Sequence, residues 1–220
     1  MARIVVTGAN RGIGLELARH LAVRGDEVVA ACRSASPQLK ALQVESHEGV
    51  DVTDEASVRR FAQAVAGKPV DILINNAGIL SHETLEDLDF DRMRRQFEVN
   101  ALGPLRVTAA LLAALKKGSK VAIITSRMGS LADNTSGGAY GYRASKAAAS
   151  MIGVSLARDL KPKGISVVIL HPGYVRTEMT GRTGMVEPAD AAANLIARID
   201  ELTLQRTGQF LHAEGAPLPW

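Results

Sequence analysis

The sequence predicts an α/β fold, a doubly wound parallel sheet of about seven strands with helices on both faces. Three observations lead there. Short apolar runs rich in Val and Ile alternate with longer stretches at helical spacing, the pattern of repeated βα units whose strands are buried on both sides. The first of these runs passes straight into a glycine-rich turn. Glycines then recur where helix gives way to strand, at Gly25, Gly67, Gly118 and Gly164, positions where a left-handed residue ends a helix without steric penalty.

Strands are expected at residues 3–7, 27–32, 49–52, 71–75, 120–125, 166–170 and 209–212. Helices are expected to begin near Gly12, Asp54, Asp91, Ala139 and Pro188, with a shorter one over residues 37–42. Pro188 suits a helix start, where its missing N–H leaves nothing unpaired. Residues 133–138 and 177–187 read as loops beside the site, and no internal repeat or low-complexity tract interrupts the pattern. A chain of 220 residues suits one such domain spanning residues 1–220. A sheet of this kind binds its ligand beyond the carboxyl ends of the strands, where strand order reverses.

Composition narrows the function classes. A hydrophobic share of 46% and a charged share of 22% are those of an ordinary globular protein. The net charge is +3, with Lys and Arg scattered among Asp and Glu, so nucleic acid is not an expected partner. Cys32 is the single cysteine and no Cys/His cluster has zinc-ligand spacing, which predicts a metal-free site in a reducing compartment. The apolar run at residues 2–7 leaves no room for a secretory n-region, h-region and cleavage site. No stretch approaches the roughly eighteen apolar residues of a membrane span; residues 109–115 are far too short. The expectation is a soluble, cytoplasmic protein with no membrane partner.

The first βα junction reads Thr7-Gly8-Ala9-Asn10-Arg11-Gly12-Ile13-Gly14. Gly8 permits a sharp turn off the strand, Gly12 lets backbone N–H groups approach a pyrophosphate, and Gly14 lets the helix pack close to the sheet. Placed between an apolar strand and an amphipathic helix, the motif predicts a Rossmann-type dinucleotide cradle rather than a plain tight turn.

With three residues and then one between its glycines, this junction resembles that of the short-chain dehydrogenase/reductase superfamily. The resemblance implies cofactor contacts from Gly8, Asn10, Arg11, Gly12, Ile13 and Gly14. Asn75-Asn76-Ala77-Gly78 is similar to the family's Asn-Asn-Ala-Gly motif, which implies that it stabilises the sheet and that Asn76, Ala77 and Gly78 line the cofactor site. Asp51-Val52 resembles the pair set against adenine, although Asp51 reads equally as a helix-start residue beside Thr53 and Asp54.

The second strand ends in Ala30-Ala31-Cys32-Arg33-Ser34. An acidic residue there would hold the ribose hydroxyls of NAD and repel a 2′-phosphate. The acid is missing and an arginine follows. By resemblance to NADP-preferring members, Arg33 and Arg11 hold the 2′-phosphate through charge-assisted bonds, so NADP(H) is the expected cofactor.

Tyr142 and Lys146, in Tyr142-Arg143-Ala144-Ser145-Lys146, stand four residues apart at the start of a helix and share one face. A phenol with a pKa near 10 is a poor proton donor unless its anion is stabilised as the proton leaves, and a fixed lysine charge does that. The pair matches the family's catalytic Tyr-x-x-x-Lys, in which the lysine also binds the nicotinamide ribose. Ser126 matches the family's serine motif, which implies that its hydroxyl orients the substrate carbonyl. Asn100 matches the family's helix asparagine, which bends the helix and holds a water for the proton relay. Pro172-Gly173-Tyr174-Val175-Arg176-Thr177 resembles the Pro-Gly segment beneath the nicotinamide, which implies contacts from Pro172, Gly173, Val175 and Thr177. His171 is assigned to packing or a turn.

The motifs run from Thr7 to Thr177 in the family's order. The loop at 133–138 and the closing stretch from Thr207 to Trp220 resemble the C-factor and sniffer-like carbonyl reductase branch. The implied activity is NADPH-dependent reduction of an aldehyde, ketone or quinone, with an open cleft because the segment between Thr177 and Pro188 is short. A 3-oxoacyl or hydroxysteroid reductase shares the chemistry, and a non-catalytic NADPH-sensing signal protein shares the cofactor site. Helices around 91–115 and 139–160, through Leu111, Leu112 and Met151, either pair copies into a homodimer or homotetramer or are ordinary core.

Overall fold

The apolar runs lie side by side as parallel strands in the computed structural model, which describes residues 1–220. They are β1 (Arg3–Thr7), β2 (Glu27–Ala31), β3 (Glu45–His47), β4 (Val70–Asn75), β5 (Leu115–Ile124), β6 (Ser166–His171) and β7 (Phe210–His212). Their order across the sheet is β3-β2-β1-β4-β5-β6-β7. The chain builds outward from β1 to β3, crosses back to β4, and builds outward the other way. The reversal therefore falls between β1 and β4, and a crevice is expected beyond their carboxyl ends.

The helices α1 (Gly12–Val23), α2 (Pro37–Ala41), α3 (Glu55–Val65), α4 (Phe90–Phe97), α5 (Gly103–Ala110), α6 (Tyr140–Leu160) and α7 (Pro188–Asp200) cover the two faces. Successive strand residues point to opposite faces, so β1 sends Ile4 and Val6 into one core with Leu17, Leu21 and Leu195. It sends Val5 into the other, with Phe61, Val107 and Leu160. Burying each such side chain is worth about 1.5–3 kcal/mol. Helix starts follow local chemistry: Ser36, Asp54 and Asp89 each accept a bond from a backbone N–H of the first turn, at 3.1, 2.9 and 2.9 Å. No helix is long and apolar enough to cross a membrane.

Four expectations need correction. The third strand is Glu45–His47, not residues 49–52. It is an edge strand paired only with β2, so its side chains need not be apolar, while Gly49 at φ 73° breaks the extended run. Val50 and Val52 are buried without being strand residues. Gly67 does not adopt positive φ, unlike Gly25 and Gly164. Gly118, at φ 93°, lies inside β5, next to a register irregularity opposite Val70–Ile72. The helix expected over 91–115 is three segments: α4, a π-helical turn at Glu98–Leu102, and α5, which ends at Ala110. Leu111 is fully core, whereas Met151 is 67% exposed.

Candidate active site

A cleft of about 720 Å³ opens above the reversal of strand order and is lined by Gly8, Arg33, Asp51, Asn76, Lys146 and Thr177 among others. Its floor is the turn after β1. Gly8 adopts φ 67°, and a Cβ on Gly14 would overlap the Gly8 carbonyl oxygen and the Asn76 side chain. Only glycine lets α1 begin this close to the strand. Asn76 ties the turn down, its Nδ2 donating to the Thr7 and Gly8 carbonyl oxygens at 3.1 and 3.3 Å. Asn75 turns into the protein instead, donating to the Thr108 hydroxyl.

At one end of the cleft stand Arg33, Asp51 and Val52. Arg33 has no carboxylate within ion-pair distance, whereas Arg11 Nη1 meets Glu178 Oε2 at 2.7 Å across the cleft. Asp51 accepts from the Thr53 N–H and hydroxyl at 2.9 and 2.7 Å. Burial opposes ionisation of its carboxyl, but those bonds together with Arg33 and Arg95 hold it below the usual value. Asp51 therefore shapes the turn before α3, whose N-cap is Asp54, and lines the cleft. Arg95, Glu178 and Arg182 also line the cleft. Nothing in local sequence marks them, because only the fold brings α4 and the segment after Thr177 to the glycine turn.

At the other end α6 presents Tyr142 and Lys146 on one face, the ammonium 5.7 Å from the ring centroid. Both are buried. Burial pushes the Tyr142 phenol above its ordinary value, opposed by a hydrogen bond with Ser126. Burial alone pulls the Lys146 ammonium down to about 8. Lys146 Nζ donates to the Ile124 carbonyl at 3.0 Å. Ser126 follows β5 in extended conformation, its hydroxyl accepting from the Met128 N–H at 3.2 Å. The longer interval between Ser126 and Tyr142 is folded down by Arg143, whose guanidinium bonds the Met128, Gly137 and Gly138 carbonyls and the Ser136 hydroxyl.

Asn100 is 1% exposed and sits in the π-helical turn. Its Oδ1 accepts from the Ile79 N–H at 2.8 Å and its Nδ2 donates to the Ile79 carbonyl and the Ser145 hydroxyl at 2.9 and 3.0 Å. A Cβ on Gly78 would stand 3.3 Å from Asn100 Oδ1 and 3.5 Å from Lys146 Nζ, so the Asn-Asn-Ala-Gly segment, the bent helix and α6 meet at one point. Pro172 and Thr177 line the cleft, but Gly173 and Val175 do not. Gly173 faces Val186 and His212, and Val175 is buried opposite Val186. His171 packs edge-on against His212, and burial pulls its imidazole down to about 4.

The groups present fit a dinucleotide with an added phosphate. The cradle a side chain would fill is kept clear at Gly8 and Gly14, and an unpaired cation, Arg33, stands where β2 ends. The cleft volume lies within the usual range for small-molecule sites.

The short chain dehydrogenase model matches residues 2–187. The chain is 44% identical, over all of both chains, to the 1-hydroxy-2-glutathionyl-2-methyl-3-butene dehydrogenase of Rhodococcus sp. strain AD45. It is 47% identical to the C-signal of Myxococcus xanthus, over 74% of this chain and all of that one. The fold superposes on the NADPH-bound carbonyl reductase from chicken fatty liver with a TM-score of 0.92 at 30% identity, covering 100% of this chain and 99% of that chain.

Proposed function

The chain belongs to the short-chain dehydrogenase family, and from that premise we propose that it is an NADP(H)-dependent carbonyl reductase acting on an aldehyde, ketone or quinone. The observation that carries the reading is a buried trio: Tyr142 and Lys146, which line the end of the cleft from one helix face, with Ser126 behind them against the phenol.

Gly8, Asn10, Arg11, Gly12, Ile13 and Gly14 hold the pyrophosphate side of the cofactor. Arg33, with Arg11 once it leaves Glu178, takes the 2′-phosphate, and Asp51 and Val52 border the adenine. Asn76, Ala77, Gly78, Pro172 and Thr177 frame the remainder, while Gly173 and Val175 shape the turn behind them without lining the cleft. The bound nicotinamide supplies the hydride. Ser126 donates a hydrogen bond to the substrate carbonyl oxygen and holds it beside Tyr142. Tyr142 gives its phenolic proton to that oxygen as negative charge develops there. Lys146 stabilises the phenolate left behind and binds the ribose, and Asn100 orders the path by which the proton is replaced.

The test is NADPH oxidation, followed by absorbance, against a panel of aldehydes, ketones and quinones, with Tyr142→Phe as control. Turnover by the native protein and its near-complete loss in Tyr142→Phe, with cofactor still bound, is the expected outcome. NADPH binding without turnover of any compound would instead favour a sensor.

The 44% identity to a dehydrogenase of a glutathionyl alcohol, spanning both chains, favours a second reading. The same residues run in reverse oxidise an alcohol, with Tyr142 as base. Reduction of NADP by a glutathione-conjugated alcohol, at a rate above that of carbonyl reduction, would select it.

A further inference from the structure

Glu83 is a carboxylate that the reaction above leaves without a task, yet it is 1% exposed. Burying such a group is costly unless its oxygens are satisfied. They are: Oε1 accepts from the Ser81 hydroxyl at 2.6 Å and from Gln96 Nε2 at 3.1 Å, and Oε2 accepts from the Gly141 N–H at 3.1 Å. Gln96, fully buried, is itself fixed, its Oε1 accepting from the Ser81 N–H at 3.0 Å.

The Gly141 bond matters because of where α6 begins. A helix leaves its first N–H groups without partners inside the helix. Here the preceding residue, Ala139, lies at φ 47° and caps nothing with its side chain. Glu83 supplies both acceptors from a distant part of the chain: its carbonyl oxygen accepts the Ala139 N–H at 2.8 Å and its carboxylate accepts the Gly141 N–H. An anion at a helix N-terminus also complements the helix dipole. The helix start is pressed onto α4, since a Cβ on Gly141 would come 2.5 Å from Gln96 Nε2 and 2.8 Å from Met93 Cγ.

Tyr142 is the next residue. On its far side Ser145 donates to the Tyr142 carbonyl at 2.8 Å and is itself held by Asn100. The backbone that carries the phenol is therefore clamped from both sides, by Glu83 before it and by the Asn100–Ser145 pair after it. We infer that Glu83 is a positioning residue that sets the placement of Tyr142 through the first turn of α6. The inference rests on the reading of Tyr142 as proton donor.

The measurement is kcat and carbonyl KM for Glu83→Ala, Glu83→Asp and Glu83→Gln, each expressed per NADPH-binding site titrated by fluorescence, beside Tyr142→Phe. A displacement near 1 Å costs roughly a hundredfold in rate. Glu83→Ala and Glu83→Asp should therefore lose about 10- to 100-fold in kcat with NADPH affinity within about twofold of the native protein. Glu83→Asp keeps the charge but withdraws it from Gly141. Glu83→Gln keeps an acceptor in place and should recover most of the loss, leaving about a fivefold deficit or less. A purely structural residue would lower the melting temperature and the number of binding sites while leaving kcat per site alone. Should Glu83→Ala fail to fold, the Asp and Gln pair decides. The inference is overturned if kcat per site in Glu83→Asp stays within twofold of native while Tyr142→Phe is inactive. If Tyr142→Phe remains active, the proton-donor reading fails first and takes this inference with it.

Discussion

The Lys146 ammonium stands 5.7 Å from the centroid of the Tyr142 ring, and the Ile124 carbonyl is its single hydrogen-bond acceptor in the protein. A buried cation so thinly compensated is a cost to folding. Its value of about 8, against 10.5 for a free lysine, converts to about 3 kcal/mol at pH 7. The penalty is full below pH 8 and vanishes as pH rises toward 10.5. Lys146→Met should therefore stabilise the cofactor-free protein by that order at pH 7, with the advantage fading above pH 8, while abolishing turnover. Denaturant unfolding of both proteins at pH 7 and 10 checks it, and equal stabilities at pH 7 would contradict it.

The same titration governs activity. Reduction requires the ammonium protonated and the phenol protonated. Burial pulls the first group down and pushes the second up, so the lysine fails first as pH rises. kcat/KM for NADPH, which reports groups of the free enzyme, should be level below about pH 8 and fall above it. Lys146→Arg, which keeps its charge, should lose that falling limb at whatever rate it retains. A native profile flat to pH 10 would speak against a role for the lysine charge.

Cofactor choice should rest more on Arg33 than on Arg11. Arg33 has no carboxylate within ion-pair distance, only Asp51 farther off, whereas Arg11 is held by Glu178. A charge-assisted bond to a phosphate is worth about 1.5–3 kcal/mol, which is roughly 10- to 100-fold in affinity. Arg33→Ala should raise KM for NADPH by that factor and leave KM for NADH within about threefold. Glu178→Gln, by releasing Arg11, should lower KM for NADPH modestly, since an exposed ion pair holds its partner by roughly 1 kcal/mol or less. Equal losses toward both cofactors in Arg33→Ala would show that the arginine does not read the phosphate.

His171 predicts an acid sensitivity. Burial, with help from His212, Arg127 and Lys146, pulls its imidazole from 6.5 to about 4. The unfolded chain binds that proton first, so stability is lost as pH falls from 6.5 to 4, by about 3 kcal/mol over the window. His171→Phe, which keeps a ring against His212, should lack that part of the slope. Parallel pH–stability curves for the two proteins would refute the assignment.

The glycine turn predicts a sharp contrast between two conservative changes. Gly14→Ala places a methyl group into the Gly8 carbonyl and the Asn76 side chain, whereas Gly67→Ala meets nothing within 4 Å and needs no left-handed backbone. The first should forfeit NADPH binding, and the second should leave it unchanged and stabilise the chain slightly, by about 0.4–1 kcal/mol. Isothermal titration with NADPH distinguishes them; retained affinity in Gly14→Ala would mean that the turn relaxes.

What the sequence discloses and what it withholds divide along a physical line. The glycines at 8, 12 and 14 are legible because their spacing within one short turn is itself the motif, and helical pairs such as Tyr142 and Lys146 because their partners are a few residues away. The strand at Glu45–His47 is not, because an edge strand with one neighbour carries no apolar signature. The π-helical turn is hidden for a related reason: one added residue barely disturbs the hydrophobic period over so short a span. Long-range contacts leave no local trace at all. Arg11 and Glu178 are 167 residues apart, and Glu83 and Gly141 are 58 apart.

The wide turn at Glu98–Leu102 places an unusual constraint on how this chain can drift. Removing one residue from it would let the segment relax to ordinary winding with the helices on either side still in phase, because the wide turn is what absorbs the added residue. Strand order and both cores would survive, so the product would still fold and accumulate. Asn100 would nevertheless swing off Ile79 and release Ser145. A frame-preserving loss of a single codon there is thus the kind of lesion that leaves a well-behaved but idle protein.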